Sequence, residues 1–169
     1  VVLDEAYAEY LGRSKRCDTI PWIQEFPNLI LVRTFSKIYG LAGLRIGYGM
    51  ASREMADMLN RVALPFNHNG PSMAAAIEAI ADQTFITFCS NSNADCREQL
   101  RKGLEQLGLE MMPSHCNFVT VRTGRANEVA HELEARGVIT RPLTAYGLDD
   151  WLRITVGMHH QNSRLLAEL

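Results

Sequence analysis

The sequence lacks any strong excess of charge and any long apolar run. Its 17 lysine and arginine residues nearly balance its 19 aspartate and glutamate residues, which gives a net charge of -2. A nucleic-acid-binding protein usually carries a clear excess of basic residues, and a membrane-spanning helix needs about 20 consecutive apolar residues. The chain has neither feature, so the sequence predicts no nucleic-acid partner and no membrane partner.

Patterns that build disulfide frameworks or metal sites are also missing. The chain has four cysteines, Cys17, Cys89, Cys96 and Cys116. They include no C-x-x-C pair and no spacing typical of a zinc site. The adjacent His159 and His160 have no third ligand at a matching spacing, so a solvated helix start explains them better than a metal site. We therefore expect no metal, and reduced thiols in a cytoplasmic protein.

Apolar runs alternate with helical patterns along the chain, which is typical of α/β proteins. In the first part, strands are predicted at 1–4, 28–33 and 45–50, and helices at 52–62, 72–82 and 93–107. Further on, strands are predicted at 117–123, 138–143 and 152–157, and helices at 127–137 and 159–169. The last third therefore has the pattern of a small α+β lobe.

Capping and spacing signals place the helix boundaries. Ser52 and Asn127 are predicted N-caps, and Gly108 and Gly137 follow predicted helices as stop signals. The helix at 93–107 carries leucines on one face, at Leu100, Leu104 and Leu107. Such a long helix can carry the chain from one lobe to another.

The chain begins within an apolar run. Val1–Leu3 precede Asp4 in the pattern of a buried parallel strand, and no initiator methionine precedes them. Because domains seldom begin inside their own core, we expect an N-terminally truncated fragment of a longer protein.

The stretch TFSKIYGLAGLRIGYG, which begins at Thr34, carries the strongest candidate chemistry. Lys37 follows an apolar strand-like run and precedes a glycine-punctuated loop and a single arginine, Arg45. A lysine amine that is partly desolvated beside another cation loses its proton more easily and becomes a nucleophile. Arg45 can supply that charge or, together with the hydroxyls of Thr34 and Ser36, bind an anion. The alternative is a surface lysine that merely follows a strand.

Asp4 is a second candidate, because a carboxylate at the end of a buried strand is costly unless it is paired. It can cap the next helix, or it can pair with a protonated pyridine nitrogen such as that of pyridoxal phosphate. Tyr7 lies about one helical turn further along, so its hydroxyl can reach the same ligand.

Together, LDEAYAEY and TFSKIYGLAGLRIGYG resemble the fold-type I pyridoxal-phosphate-dependent aminotransferases of classes I and II. Among these the chain most resembles the histidinol-phosphate aminotransferases. The resemblance runs over the whole chain, through the motifs PFNHN, NFVTVR, RPLTAYGL and LRITVG. It rests above all on the S-K-x(7)-R spacing after D-E-A-Y.

The resemblance implies a role for each matching residue of the first part. Lys37 would bind pyridoxal 5'-phosphate covalently and move the proton during the reaction. Asp4 would hold the pyridine nitrogen, and Tyr7 would hydrogen-bond the ring hydroxyl. Ser36 and Arg45 would hold the cofactor phosphate.

Two arginines are candidate substrate-binding residues. Arg153 matches the arginine that binds the substrate α-carboxylate, a position that histidinol phosphate fills with its hydroxymethyl phosphate. Arg141 lies at the end of a predicted strand, and our hypothesis is that it binds the substrate phosphate. One pocket must accept a phosphate and also the carboxylates of 2-oxoglutarate, which two arginines suit better than one. The alternative is that Arg141 is a surface residue.

The resemblance also implies the domains and the reaction. Residues 1–82 would be the C-terminal part of the large mixed-sheet cofactor domain, and 83–169 a small α+β C-terminal domain with its connecting helix. The enzyme would be a homodimer that interconverts histidinol phosphate and imidazole acetol phosphate, using glutamate and 2-oxoglutarate, in histidine biosynthesis. Residues 1–169 alone are expected to be inactive.

Other functions stay open from the sequence. An aromatic or broad-specificity aminotransferase and a threonine-phosphate decarboxylase share the fold, and release of carbon dioxide would distinguish the second. A non-catalytic truncated remnant is the alternative of a different class. The sequence encoded immediately upstream would separate that alternative from an enzyme.

Overall fold

The computed structural model describes residues 1–12 and 15–169. They form two compact units, Val1–Ser90 and Asn91–Leu169. Among the described residues, no helix has both the length and the apolar character needed to cross a membrane. Within those same ranges, no cluster of three or more histidine, cysteine, aspartate or glutamate side chains is suited to a metal ion.

The first unit contains a mixed sheet with the strand order β1–β2–β3 in the part of the chain that the structure describes. Its strands are β1 (Val2–Asp4), β2 (Ile30–Thr34) and β3 (Gly47–Ala51). β1 runs parallel to β2, whereas β3 runs antiparallel to it. The strands predicted at 1–4, 28–33 and 45–50 are confirmed, with small shifts of their ends. The expectation that the first of them is buried is wrong for the described residues, because Val2 and Asp4 are exposed and Leu3 is half-buried.

The loop after β2 is held by apolar side chains that flank two polar ones. Phe35, Ile38 and Tyr39 are buried in the core of the first unit. Because these three side chains anchor the loop, the intervening Ser36 and Lys37 remain partly exposed. The sequence thus fixes the backbone on both sides of the lysine while leaving its amine accessible.

Helices complete the first unit. Among the residues described, they are α1 (Trp22–Glu25), α2 (Arg53–Val62), α3 (Gly70–Ala81) and the first part of α4 (Gln83–Gln106). Ser52 caps α2, since its Oγ accepts a hydrogen bond from the Met55 N–H at 3.4 Å. Asn69 caps α3 in the same way, accepting from the Ser72 N–H at 2.8 Å. The predicted cap at Ser52 is confirmed, whereas α1 was not predicted.

The long helix α4 begins at Gln83 rather than at the predicted residue 93. Asp82 caps this start, because its Oδ1 accepts from the Phe85 N–H at 2.9 Å. Residues 83–92 are rich in threonine, serine, asparagine and aromatic residues, which are weaker helix formers than alanine or leucine. The composition of residues 83–92 therefore does not indicate a helix, and the Asp82 cap defines the start of α4 instead.

The apolar face of α4 agrees in part with the prediction. Leu100 and Leu104 are fully buried, but Leu107 lies beyond the end of the helix and is 47% exposed, so its assignment to that face is wrong. Gly108 has a φ of +72°, in the left-handed region that glycine tolerates best. The predicted stop at Gly108 is confirmed.

The second unit contains an antiparallel sheet with the order β4–β5–β7–β6 among the described residues. Its strands are β4 (Met111–Met112), β5 (Phe118–Arg122), β6 (Arg141–Leu143) and β7 (Leu148–Thr155). Its helices are the remainder of α4, α5 (Ala126–Ala135) and α6 (His159–Glu168). One buried core joins α4, β5, α5, β7 and α6.

Several details of the second unit differ from the predictions. The strand predicted at 138–143 begins only at Arg141, and the one predicted at 152–157 spans Leu148–Thr155. Asn127 is not the N-cap of α5, because Arg125 occupies that position without a capping side-chain bond. Asn127 instead accepts a hydrogen bond from the Thr144 hydroxyl at 3.3 Å. β4 was not predicted, since a two-residue strand leaves no periodic signal.

Candidate active site

The candidate residues of the first unit lie where two parallel strands end side by side. Asp4 is the last residue of β1, and Thr34 is the last residue of β2. In open α/β sheets, ligands bind at the carboxyl ends of the strands. A cavity of about 370 Å³ opens there, and its lining includes Asp4, Thr34, Ser36, Lys37 and Arg45.

Lys37 holds its amine beside an aromatic ring. Its Nζ lies 5.5 Å from the centroid of the Tyr7 ring, within the range of a cation–π contact. The turn behind the lysine is closed by Gly40, whose N–H donates to the Lys37 carbonyl at 2.9 Å. Gly40 has a φ of +72°, which glycine adopts without steric cost. Lys37 and Tyr7, far apart in sequence, are therefore neighbours.

Arg45 reaches back toward the end of β2. Its Nη1 lies 3.4 Å from the Ser36 Oγ, to which it donates, and 2.9 Å from the Ala42 carbonyl. The Ser36 N–H donates to the Thr34 hydroxyl at 3.0 Å. A guanidinium beside two hydroxyls is a group that binds phosphate or carboxylate through charge-assisted hydrogen bonds.

The backbone of Arg45 is strained. Its φ is +51° and its ψ is +51°, a left-handed conformation that side chains other than glycine adopt at a cost. The neighbouring Ile46 is buried and so fixes the backbone at this point. Such strain persists only where the surrounding structure enforces it, and it is concentrated at ligand sites.

Asp4 stabilises a turn and also lines the cavity. Its Oδ1 accepts from the Ala6 N–H at 2.9 Å, which stabilises the turn after β1. Its Oδ2 makes no hydrogen bond or ion pair with the residues that the structure describes. One carboxylate oxygen therefore holds the local turn, and the other has no bonded partner among those residues.

In the second unit, Arg141 and Arg153 lie directly opposite each other on the paired strands β6 and β7. The Cζ atom of Arg153 lies 4.3 Å from the centroid of the Phe118 ring. Arg141 donates from Nη2 to the Tyr146 hydroxyl at 3.2 Å, with its Cζ 5.7 Å from that ring. Neither arginine forms a salt bridge with a carboxylate of the described residues. Both positive charges remain available to an anion.

The aromatic partners of these arginines were missed by sequence reasoning. Tyr146 follows Arg141 within the motif RPLTAYGL, which is a usable local signal. Phe118 is far from Arg153 in sequence, and their contact depends on the pairing of β5 with β7. Local patterns do not specify strand register, so this contact required the structure.

In each unit, one further group has a perturbed acidity. Burial, and then the adjacent Glu9 carboxylate, raise the pKa of Tyr39 to about 12. The Tyr39 hydroxyl donates to that carboxylate at 3.4 Å. In the second unit, burial raises the pKa of the Cys116 thiol, although the positive charge of Arg97 and then of Arg153 opposes that shift. Cys116 is therefore a protonated, weakly reactive thiol near neutral pH.

The whole chain matches one protein family. The profile of the family aminotransferase class I and II matches residues 1–169, and the chain belongs to this family. It is 51% identical over 169 residues to histidinol-phosphate aminotransferase 1 of Dechloromonas aromatica, a match that covers 100% of this chain and 47% of that protein. The chain spans about half the length of the curated relatives it matches.

Solved structures share the fold. Histidinol-phosphate aminotransferase from Sinorhizobium meliloti, in complex with pyridoxal-5'-phosphate, has a TM-score of 0.87 at 32% identity, over 98% of this chain and 46% of that chain. L-threonine-O-3-phosphate decarboxylase from Porphyromonas gingivalis has a TM-score of 0.84 at 26% identity, over 99% of this chain and 53% of that chain. The predicted fold-type I class is confirmed.

Proposed function

We propose that this chain is part of a pyridoxal-phosphate-dependent enzyme that exchanges an amino group between L-histidinol phosphate and 2-oxoglutarate, in histidine biosynthesis. The observation that carries the proposal is the Lys37 amine beside Tyr7, in a cavity that Asp4 and Arg45 also line. Relatives that are 51% identical over the whole chain bear the name histidinol-phosphate aminotransferase, which supports this substrate.

The side chains around the cavity fit pyridoxal phosphate. Lys37 offers an amine for covalent attachment to the cofactor, and Asp4 offers its Oδ2 to the pyridine nitrogen. Arg45 and the hydroxyls of Ser36 and Thr34 match the cofactor phosphate. When bound, pyridoxal phosphate supplies an electron sink that stabilises negative charge at the substrate Cα.

The roles of the chain's own residues follow from these positions. Lys37 would take a proton from the substrate Cα and deliver it to the cofactor carbon, because its side chain lines the proposed cofactor site. Tyr7 donates a hydrogen bond to the cofactor ring hydroxyl and so orients the ring. Asp4 keeps a proton on the pyridine nitrogen, since a nearby carboxylate favours the charged form of a cation.

Arg141 and Arg153 are proposed to bind the anionic ends of the substrates. Their opposed positions on β6 and β7 present two guanidinium groups on one face of a sheet. Each can bind a phosphate or a carboxylate through two parallel hydrogen bonds. This arrangement suits an enzyme whose two substrates carry a phosphate in one case and carboxylates in the other.

The organisation of the complete enzyme is also a proposal. We propose that residues 1–82 belong to the large cofactor domain, that 83–169 form the small domain, and that the enzyme is a cytoplasmic homodimer. The free thiols at Cys17, Cys89, Cys96 and Cys116 support a reducing compartment. Sedimentation of the purified enzyme at its working concentration measures the oligomeric state.

Threonine-phosphate decarboxylation is a second candidate function. It is favoured by the likeness to the decarboxylase structure from Porphyromonas gingivalis, at 26% identity. Its phosphate-bearing substrate would use the same two arginines. That reaction releases carbon dioxide and needs no 2-oxoglutarate.

The test uses the protein encoded by the complete reading frame that contains this chain. The enzyme is incubated with L-histidinol phosphate and 2-oxoglutarate, and separately with L-threonine phosphate. Glutamate formed in the first reaction, without carbon dioxide in the second, is the expected result. Carbon dioxide from threonine phosphate without glutamate formation would favour the decarboxylase instead. If neither glutamate nor carbon dioxide forms, both candidate functions are contradicted.

A further inference from the structure

A partly buried ion pair lies next to the candidate cofactor residues, and its arginine shares the cavity lining with them. The Arg33 Nε lies 2.8 Å from the Glu5 Oε2, and the two side chains are only 21% and 9% exposed. The second oxygen of Glu5 accepts a hydrogen bond from the Thr19 hydroxyl at 2.5 Å. Both oxygens of the carboxylate are therefore engaged.

The pair is charged and well satisfied. Burial disfavours the charged form of Arg33, but hydrogen bonds to Glu5 and Tyr48 outweigh it and raise the arginine pKa above its ordinary value. A buried ion pair rarely stabilises a fold more than apolar side chains of the same volume would, since both charges must be desolvated. The geometry that the pair imposes is therefore more informative than any gain in stability.

The pair joins the ends of two strands. Glu5 follows Asp4 at the end of β1, and Arg33 precedes Thr34 at the end of β2. Next to the ion pair, the Glu5 N–H donates to the Val32 carbonyl at 2.9 Å and extends the parallel ladder. The two strand ends are thus linked through both backbone and side chains.

The pair lies at the border of the cavity, whose lining includes Arg33 but not Glu5. Successive side chains along a strand point to opposite faces, so Glu5 and Arg33 occupy the face opposite to Asp4 and Thr34. On the far side of β2, a Cβ atom added to Gly47 would lie 2.7 Å from the Arg33 carbonyl oxygen, so β3 also packs tightly against this point. Arg33, the residue before the candidate cofactor loop, is therefore held by Glu5 on one side and by β3 on the other.

We propose that the Glu5–Arg33 pair is a positioning clamp that fixes the Asp4 carboxylate relative to the Lys37 amine. The clamp sets how strongly Asp4 holds a proton on the cofactor ring, and it thereby sets the pH at which the lysine-bound cofactor titrates. This inference rests on the proposed pyridoxal-phosphate function. Neither Glu5 nor Arg33 touches the reacting atoms in this account.

The experiment compares variants of the protein from the complete reading frame. Glu5→Gln removes one charge, Glu5→Gln with Arg33→Gln removes both, and Arg33→Lys keeps the charge but loses the Nε contact. Glu98→Gln is the control, because Glu98 pairs with Arg101 on an exposed helix surface. Each protein is loaded with pyridoxal phosphate and its visible absorption band is titrated with pH. Thermal unfolding of the cofactor-free proteins is measured in parallel.

A positioning role predicts that the titration midpoint rises in Glu5→Gln, because a ring that is less fully protonated withdraws less electron density from the lysine nitrogen. We expect a rise of about 0.5 pH units or more, and a fall in kcat of roughly tenfold or more with KM changed less than about threefold. Arg33→Lys should recover part of the shift, and Glu98→Gln should show none.

The double variant separates positioning from stability. With no unpaired buried charge left, its cofactor-free melting temperature should return to within a few degrees of the wild-type value, while its titration midpoint stays shifted. A midpoint that returns together with the melting temperature would show a merely structural pair. An unshifted midpoint in Glu5→Gln, beside a normal wild-type band, would overturn the clamp alone. A wild-type protein without the band would overturn the proposed function and the clamp together.

Discussion

Arg141 and Arg153 are cross-strand partners in the second unit, with directly opposed Cα positions and no carboxylate paired to either among the described residues. Like charges that face each other across a sheet destabilise it by some tenths of a kcal/mol. Each guanidinium packs on an aromatic ring, which orients the charge without neutralising it. We propose that this arrangement is an anion site, in which a bound anion offsets the repulsion between the two charges.

Replacement of Arg141 tests this anion site. In the complete enzyme, Arg141→Ala should raise KM for histidinol phosphate, because it removes a charge-assisted hydrogen bond to the substrate phosphate. The loss should be about 1.5–3 kcal/mol, or roughly ten- to a hundredfold in kcat/KM. Steady-state kinetics with histidinol phosphate and with unphosphorylated histidinol measure it.

The matched control for that variant is Arg125→Ala in the same unit. Arg125 pairs with Glu128 at an exposed site, so its removal should leave both substrates unaffected. An Arg141→Ala enzyme that loses equally on histidinol phosphate and histidinol would show that Arg141 does not bind the phosphate. The case for a histidine-pathway substrate would then be weaker.

Tyr39 should make stability depend on pH in the alkaline range. Its pKa in the folded protein is raised to about 12, so the protonated form is favoured by folding, and this contribution is lost as pH rises from about 10 to about 12. Between about pH 9 and pH 11 the wild-type enzyme should lose about 1 kcal/mol more unfolding free energy than Tyr39→Phe. Urea unfolding of both proteins at the two pH values measures the difference, and equal losses would contradict the assignment.

Residues 1–169 expressed alone should bind pyridoxal phosphate weakly and catalyse no transamination. β1 lies at the edge of the described sheet, and Val1 and Val2 are 78% and 63% exposed. An open strand edge with exposed apolar side chains favours aggregation. Size-exclusion chromatography and a visible absorbance titration with the cofactor test this expectation. Tight stoichiometric binding by a monodisperse chain would contradict it.

Lys37→Ala should remove the visible absorption of the bound cofactor and abolish transamination while leaving the fold intact. The side chain is partly exposed at the cavity, whereas the buried Phe35, Ile38 and Tyr39 hold the loop. Circular dichroism checks the fold, and absorbance with an activity assay checks the function. Transamination near the wild-type rate would refute the assignment of Lys37.

Much of the first unit could be predicted because its signals are local. The apolar runs before Asp4 and Lys37 mark two strands, and the ends of parallel strands meet at one sheet edge. The S-K-x(7)-R spacing placed Ser36, Lys37 and Arg45 in one loop, and the structure brings them around one cavity. The left-handed backbone of Arg45 had no sequence signal, since arginine rarely adopts it.

The second unit was less predictable because its geometry depends on pairing between distant segments. The opposition of Arg141 and Arg153 is set by the register of β6 on β7, with an irregularity between Pro142 and Leu143. A shift of one residue would move every side chain to the other face of the sheet.

The ion pair of Glu5 with Arg33 in the first unit was missed for the same reason, as it links residues at the ends of two separate strands.

The central claim, that Lys37 holds the cofactor, is tested most directly by borohydride trapping. Reduction of the complete enzyme with bound pyridoxal phosphate turns the bond between the lysine nitrogen and the cofactor into a stable amine, which peptide mass spectrometry locates. The account predicts a phosphopyridoxyl group on Lys37 at close to one per chain, with none in Lys37→Ala. A label on another lysine, or no label on a protein that transaminates, would contradict it.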